Sequence, residues 1–243
     1  MIKIKRIAAS LLWIGLALSL ILIAVFFFIQ KIPKNLDSTR IALIDSVENN
    51  YIFRGNNPFV TKNGEKVFAY DELTKNFNSI LNKQGLALPQ DYYLVDFSLL
   101  DLDEYYDIEK ERKFFAANPQ AGRLINVSTL SPSLLLKSSK DANKITKEVI
   151  ENYNSWLTET LEKLHEIAAK KLDKPVVIYI HCNSGRDRTG MIAANYRLLF
   201  SKMNLAEVRQ KNIAEAGRNS DEFYDRAMRS YCLHVKQSDS ECI

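Results

Sequence analysis

The sequence predicts an α/β fold in which a central, mostly parallel sheet is flanked by helices and is preceded by a single N-terminal transmembrane helix. Two patterns predict the sheet and its helices: short apolar segments alternate with longer segments whose apolar residues recur every three or four positions. An uncharged apolar run near the N-terminus predicts the membrane helix. The 243 residues, 47% of them hydrophobic, suffice for one globular domain and an accessory segment.

The first element is the apolar run over residues 7–29, which has no charge and measures about 34 Å as a helix, enough to cross a bilayer. A cleaved signal peptide is the alternative, but its apolar region is usually shorter and is followed by small residues, whereas this run ends in bulky ones. Length and position exclude a buried core helix. Three basic residues precede the run and two follow closely, so the positive-inside rule weakly favours a cytoplasmic N-terminus. The following domain would then lie outside, in the periplasm if the cell is bacterial.

The chain is thereby divided into a membrane anchor over residues 1–30, a juxtamembrane linker over 31–50 and a globular domain over 51–243. The predicted strands of the domain are residues 51–53, 92–97, 123–130 and 176–180. The last of them has the continuous apolar character of a central parallel strand.

Helices are predicted between and after these strands. The longest covers about residues 141–171, and its position between two strands implies a right-handed crossover. Three more helices are predicted over residues 189–202, 204–216 and 220–236. Asn204 and Ser220 are expected to be the N-caps of the last two. Open α/β sheets bind ligands at the carboxyl ends of their strands, so the loop after the fourth strand is the expected functional site.

Composition limits the classes of function. A net charge of +4 with both signs scattered gives little support for a nucleic-acid-binding surface. The three cysteines, Cys182, Cys232 and Cys242, form no CxxC pair and no ligand set with zinc spacing. We therefore predict no disulfide framework, no metal and no cofactor. Cys232 is expected in a helix core and Cys242 in a frayed tail.

The segment IYIHCNSGRDRTGM, residues 178–191, places a thiol where an apolar strand ends and a charged turn begins. A loop running from a strand into a helix N-terminus directs backbone N–H groups into one concavity, and the helix dipole adds positive charge, so a phosphate fits there. Gly185 allows tight closure of the loop. Arg188 can bind two phosphate oxygens, and such positive surroundings favour a nucleophilic thiolate at Cys182.

Other residues of the segment complete the predicted site. Thr189 is expected to donate its hydroxyl to the sulfur and help the thiolate leave, and His181 to order the loop from the strand end. The residues expected to surround the phosphate are Asn183, Ser184, Gly185 and Arg186.

The stretch HCNSGRDRTG resembles the signature of the cysteine-dependent phosphatases, the protein tyrosine, dual-specificity and phosphoinositide group. In that signature, His-Cys, five residues, Arg and Ser or Thr form the phosphate loop. The resemblance extends loosely over residues 51–235 and implies the cysteine phosphatase fold. The loop is most similar to that of bacterial effector inositol phosphatases and inositol polyphosphate 4-phosphatases. Those relatives have two lysines where this chain has Asn183 and Arg186, so a highly phosphorylated ring is less expected, and Arg186 either contacts substrate or faces solvent.

The resemblance also implies a general acid, commonly an aspartate on the loop between the strand and the helix that precede the cysteine. Here that stretch, residues 131–144, has no carboxylate before Asp141, which is also the expected N-cap of the long helix. Asp187 is the other candidate, because it is similar to the aspartate assigned as the acid in myotubularins. It can instead pair with a neighbouring arginine. We favour Asp187 and keep Asp141 as the alternative acid.

The predicted function is hydrolysis of phosphate monoesters through a phosphocysteine. The anchor favours a membrane phospholipid head group, such as a phosphoinositide or phosphatidylglycerophosphate, as the substrate. A protein tyrosine or dual-specificity phosphatase is the alternative, and a membrane-tethered phosphate-binding pseudophosphatase is the alternative from another class. Redox chemistry at Cys182 has no second nearby cysteine to support it. Arg54 is either a second phosphate contact or a partner in a buried salt bridge.

Overall fold

The computed structural model describes Ser19 and residues 35–129 and 147–243. The chain divides into two compact units, Met1–Lys34 and Asn35–Ile243. All helices and strands discussed below lie in the second unit.

A five-stranded mixed sheet forms the centre of this unit. The strands in the described residues are β1 (Ala42–Val47), β2 (Asn50–Asn56), β3 (Phe59–Lys62), β4 (Glu65–Phe68), β5 (Tyr93–Ser98), β6 (Gly122–Asn126) and β7 (Val176–Cys182). The sheet order is β1-β2-β7-β5-β6, and β3 and β4 form a separate antiparallel hairpin. β7 pairs in parallel with both of its neighbours, β6 pairs in parallel with β5, and β1 is antiparallel to β2. The predicted α/β architecture with a mostly parallel sheet is therefore confirmed, with β7 as its central strand.

Helices cover both faces of the sheet. They are α1 (Tyr70–Asn82), α2 (Tyr105–Ala117), α3 (Lys147–Ala169), α4 (Asp187–Phe200), α5 (Leu205–Ala216) and α6 (Glu222–Lys236), with 3-10 turns at Ser38–Arg40, Leu102–Glu104 and Asp239–Glu241. One apolar core joins the sheet to α3, α4 and α6, and a second joins it to α1, α2 and the hairpin. Because successive side chains of a strand point to opposite faces, Cys182 lies on the side of the first core and His181 on the other.

The edge strand β1 lies in the stretch expected to be a linker over residues 31–50. Almost all of its residues are partly buried, because an edge strand keeps one face near solvent. The sequence ALIDSV therefore lacks the continuous apolar character that marks β7.

Helix N-caps agree with the sequence in one case and differ in the other. Asn204 caps α5 by accepting a hydrogen bond from the Glu207 backbone N–H, as predicted. In α6 the cap is Asp221, which accepts from the Phe223 N–H at 3.0 Å, so the prediction of Ser220 is wrong by one residue. Aspartate and serine are both good N-cap residues, so the local sequence does not show which of these two neighbours caps the helix.

Cys232 and Cys242 form a disulfide, so the prediction of no disulfide is wrong. Both cysteines are fully buried, and Cys242 is not in a frayed tail. The 3-10 turn at Asp239–Glu241 folds the C-terminal residues back onto α6, which brings together two cysteines whose spacing matches no recognised pattern.

The prediction of a membrane anchor is corrected. Among Ser19 and residues 35–129 and 147–243, no helix has both the length and the apolar character needed to cross a bilayer. The longest, α3, has 23 residues but carries acidic and basic side chains along its length. The predicted single-pass localisation, with the domain outside, is corrected on the same finding. Apart from Ser19, residues 7–29 lie outside the described residues.

Candidate active site

The candidate site lies at the carboxyl end of the central strand. Cys182 is the last residue of β7, and α4 begins five residues later at Asp187. The intervening loop, residues 183–186, connects a parallel strand to a helix N-terminus, the arrangement that binds anions. Cys182 is a free thiol and is 2% exposed. The thiol thus lies at the base of the loop, as the sequence predicted.

Gly185 lets this loop pack directly against the neighbouring strand. Its φ of +65° lies in the left-handed region, where a residue with a side chain would be strained. A Cβ at this position would also lie 2.5 Å from the carbonyl oxygen of Gly55 at the end of β2. The Asn57 N–H also donates to the Asn183 carbonyl at 3.4 Å. Any larger residue at position 185 would push the loop away from β2 and change its curvature.

Arg54 supports the loop from below. Its side chain is fully buried, and its Nη2 donates to the Gly185 carbonyl at 2.6 Å. Its Nη1 donates to Asn212 Oδ1 and Glu215 Oε2, at 2.8 and 2.9 Å. Glu215 also accepts two hydrogen bonds from Arg197. Burial lowers the pKa of Arg54, although Glu215 opposes this effect. Of the two roles expected for Arg54, the structure shows the buried salt bridge.

Arg188 is held by acidic groups that follow β5. Its Nη1 and Nη2 donate to the two carboxylate oxygens of Glu104 at 2.6 and 2.8 Å, and Nη1 also donates to the Leu99 carbonyl at 2.8 Å. Asp101 lies 3.3 Å from the same nitrogen. Burial lowers the pKa of Arg188. The Glu104 hydrogen bonds and the negative charge of Cys182 raise this pKa by more than burial lowers it, so the net shift is upward.

Asp101 and Glu104 form a structured turn at the sheet edge. Asp101 accepts hydrogen bonds from Ser128 Oγ and the Thr129 N–H, and Glu104 accepts from the Asp101 N–H at 3.0 Å. Neither acid was among the residues predicted for the site. The available signal was the acidic segment DLDE, which follows a buried parallel strand and so must lie at the same edge of the sheet as the cysteine loop.

Of the two candidate general acids, Asp187 and Asp141, only Asp187 lies among the described residues. Asp187 is the first residue of α4, where its carboxylate accepts from Arg218 Nη2 at 2.6 Å and from the Asp221 N–H at 3.4 Å. It therefore pairs with an arginine, as the sequence allowed. Asp141 lies outside the described residues.

The remaining predicted residues lie in the loop after Cys182 and the first turn of α4. Thr189 is fully buried, and its Oγ1 has no hydrogen-bond partner within the described part of the chain. Such a hydroxyl is free to donate to a sulfur or phosphate oxygen. Asn183, Ser184 and Arg186 are partly buried in the turn before α4.

His181 forms a buried cluster with two carboxylates on the opposite face of β7. Its Nε2 lies 2.9 Å from Asp96 Oδ1 and 3.4 Å from Glu111 Oε1, and all three side chains are fully buried. The ring stacks on Tyr179 with centroids 5.5 Å apart. A histidine that orders the strand end was predicted, but the two carboxylates were not, because they come from β5 and α2.

Tyr224 is a further residue near the site that the sequence did not indicate. Burial raises its pKa to about 12, and the charges of Arg188, Asp187 and Cys182 act on it as well. It packs against the core that includes Cys182. Its ring therefore belongs to the surroundings of the phosphate loop.

Comparison with known proteins supports the resemblance inferred from the loop. The sequence model of the tyrosine phosphatase family matches residues 97–233, more than half of the chain, including the cysteine loop. This match confirms the similarity to cysteine-dependent phosphatases. No curated protein sequence is similar enough to count as a relative.

A search of solved structures finds weakly similar chains, three of which follow. PTPMT1 is 11% identical with a TM-score of 0.44, covering 83% of this chain and 99% of that one. The core catalytic domain of the PP-IP phosphatase SIW14 from S. cerevisiae is 11% identical with a TM-score of 0.38, covering 84% and 94%. TpbA from P. aeruginosa is 16% identical with a TM-score of 0.36, covering 79% and 88%.

Proposed function

Because the chain belongs to the tyrosine phosphatase family and is a cysteine-dependent phosphatase, we propose that it hydrolyses phosphate monoesters through a phosphocysteine on Cys182. The observation that carries the proposal is the free thiol of Cys182, which ends the central strand directly before an anion-binding loop and helix N-terminus. A protein that only bound phosphate would not need a nucleophile at this point.

The proposed reaction has two steps. The Cys182 thiolate attacks phosphorus, so that an S–P bond forms while the bond to the leaving oxygen breaks and Asp187 gives that oxygen a proton. Water then attacks the phosphocysteine and releases phosphate, while the same carboxylate takes up the proton from water. Arg188 and the loop N–H groups stabilise the charge on the equatorial oxygens. The Thr189 hydroxyl donates to the departing sulfur.

For the substrate we propose phosphotyrosine in proteins. Leu102, Tyr105 and Tyr106 are 77%, 50% and 83% exposed, and they flank Glu104, which binds Arg188. Exposed apolar and aromatic side chains beside a phosphate site suit an aromatic ester and its neighbouring residues. The argument for a lipid head group depended on the membrane anchor, so it no longer favours a lipid.

Replacement of the nucleophile tests the reaction. Cys182→Ser keeps the shape of the site but lacks the reactive thiolate, so we expect it to abolish hydrolysis of a small aryl phosphate while tungstate still binds. The double variant Cys232→Ser/Cys242→Ser, which removes the disulfide without leaving an unpaired thiol, is the control and should keep activity. More than a trace of turnover in Cys182→Ser would refute the phosphocysteine mechanism. Absence of turnover in the wild-type protein, with tungstate still bound, would favour the pseudophosphatase.

A substrate panel tests the second part of the proposal. The wild-type protein is assayed on phosphotyrosine peptides, phosphoserine peptides, soluble inositol phosphates and vesicles that carry phosphoinositide or phosphatidylglycerophosphate. We expect the highest kcat/KM on phosphotyrosine peptides, and we expect Tyr106→Ser to raise KM for peptides without changing it for a small aryl phosphate. Preference for a vesicle-borne lipid would reject phosphotyrosine as the substrate.

A further inference from the structure

The buried cluster behind the nucleophile has an unusual composition for a protein core. Asp96 comes from β5, Glu111 from α2 and His181 from β7, and each side chain is fully buried. Parallel pairing of β5 with β7 places Asp96 beside Tyr179, one step along the same face from His181. His181 directly precedes Cys182, so the charge of this cluster acts on the phosphate loop.

Two carboxylates and one imidazole cannot all be ionised without leaving a net negative charge in the core. An uncompensated buried charge is strongly unfavourable, so the cluster must keep an additional proton. The charged groups that face the cluster from other positions are Lys66 on β4, Asp107 one turn earlier on α2, and Glu104 at the 3-10 turn. Lys66 forms an ion pair with Asp107 at 2.6 Å, so it does not neutralise the cluster.

The pKa shifts of Glu111 and His181 agree with this charge balance. Burial, followed by the charge of Asp96, raises the pKa of Glu111 to about 8. Burial lowers the pKa of His181, but Asp96 and Glu111 raise it more, so its net shift is upward. At neutral pH these shifts favour a protonated Glu111 beside a positively charged His181. The 2.9 Å distance from His181 Nε2 to Asp96 Oδ1 is that of a close ion pair, so the two groups interact directly.

We propose that Glu111 is a positioning residue of the phosphate site: by sharing a proton with Asp96 and His181, it keeps the charge behind Cys182 balanced, and loss of that proton weakens oxyanion binding. The inference rests on the proposed function, because it assumes that the loop after Cys182 binds phosphate. Glu111 does not touch the reacting atoms, and it acts through His181.

The substitution Glu111→Gln separates this role from packing. Glutamine has the shape of a protonated glutamate but cannot lose the proton, so the variant should match the parent at pH 6.5 and differ from it above pH 8. The measurement is tungstate affinity by calorimetry between pH 6.5 and 9. Both proteins carry Cys182→Ser, so that neither thiol titration nor turnover contributes. Tungstate remains a dianion over this range.

We expect the affinity of the parent for tungstate to fall by about tenfold more than that of the variant between pH 6.5 and 9, because one additional negative charge lies behind the loop. Glu109→Gln on the same helix is the matched control and should follow the parent. Equal pH dependence in parent and Glu111→Gln would overturn the inference. Failure of both proteins to bind tungstate at any pH would instead refute the phosphate site on which the proposed function depends.

Thermal unfolding gives a readout without ligand. The pKa of Glu111 is raised from 4.5 when unfolded to about 8 when folded, so its contribution to stability is present below pH 4.5 and is lost as the pH rises toward 8. Glu111→Gln does not lose this contribution. Its Tm relative to the parent should therefore rise between pH 5 and 8. A constant difference over that range, or failure of Glu111→Gln to fold at pH 6.5, would contradict a protonated Glu111.

Discussion

Glu104 binds both terminal nitrogens of Arg188, with Oε2 2.6 Å from Nη1 and Oε1 2.8 Å from Nη2. A bidentate contact of this kind fixes the plane of the guanidinium as well as its position. The Leu99 carbonyl accepts a third hydrogen bond from Nη1 at 2.8 Å. Arg188 is thus oriented by the turn after β5, before any phosphate is present.

Removal of the Glu104 charge should disorder this arginine. In Glu104→Gln, one oxygen acceptor becomes a donor, so the bidentate contact is lost and Arg188 samples several rotamers. We expect kcat/KM on a small aryl phosphate to fall by about 10- to 100-fold, the range for charge-assisted hydrogen bonds. Asp103→Asn, an exposed carboxylate in the same turn, is the control and should change little. Equal activity of Glu104→Gln and the wild type would show that Arg188 does not need this contact.

The acid assignment predicts a dependence on the leaving group. Asp187→Asn should lower kcat by about 10²-fold or more on an ester with a poor leaving group. On an ester with a good leaving group, kcat should change little. The same pattern in Asp141→Asn, but not in Asp187→Asn, would assign the acid to Asp141.

The contact between Asp187 and Arg218 suggests a second measurement. Arg218 Nη2 donates a hydrogen bond to Asp187 Oδ2 at 2.6 Å, so it competes with the leaving oxygen for the same carboxylate. If Asp187 is the acid, Arg218→Met should raise kcat on the poor leaving group. Loss of activity in that variant would mean that Arg218 assists the reaction instead.

Arg54 should contribute more to stability than an exposed arginine. Arg54→Lys retains the charge, but an ammonium cannot reach Gly185, Asn212 and Glu215 together. We expect the free energy of unfolding to fall by about 3 kcal/mol, the lower end of the range for a broken buried ion pair, since Arg197 still binds Glu215. Urea titration measures this value, with Arg209→Lys, whose pair with Asp225 is partly exposed, as control. Equal losses in the two variants would contradict the supporting role of Arg54.

The Cys232–Cys242 disulfide should stabilise the C-terminal region. It closes a loop of 10 residues in sequence separation, for which chain entropy predicts about 2–3 kcal/mol. Reduction of the wild type should therefore lower Tm by several degrees, whereas the double variant Cys232→Ser/Cys242→Ser should be insensitive to reductant. If reductant lowers Tm equally in both proteins, the effect does not come from this bond.

The stretch of sequence around Cys182 was sufficient to predict where the candidate site lies. HCNSGRDRTG joins an apolar strand to a helix, and both elements have strong local signals: the continuous run of β7 and the helical spacing of α4. The nucleophile, the arginine and the glycine turn all lie within ten residues, so their proximity follows from the chain itself. The family match confirms the resemblance to cysteine-dependent phosphatases.

Some sequence predictions were wrong because the signals they used are not specific. The apolar run over residues 7–29 meets the length criterion for a membrane span, yet the described residues contain no such helix. Cysteine spacing was equally uninformative about Cys232 and Cys242, because a disulfide depends on the distance between two positions after folding.

The sequence by itself determined the α/β class, the central strand and the cysteine loop, because local periodicity and a contiguous motif are sufficient for these. Only the tertiary structure decided which groups surround the loop. Glu104 reaches Arg188, and Asp96 and Glu111 reach His181, from sequence positions at least 70 residues away. These contacts exist because parallel pairing aligns the ends of β5 and β7 and α2 packs over them, and such long-range register is not encoded in any local pattern.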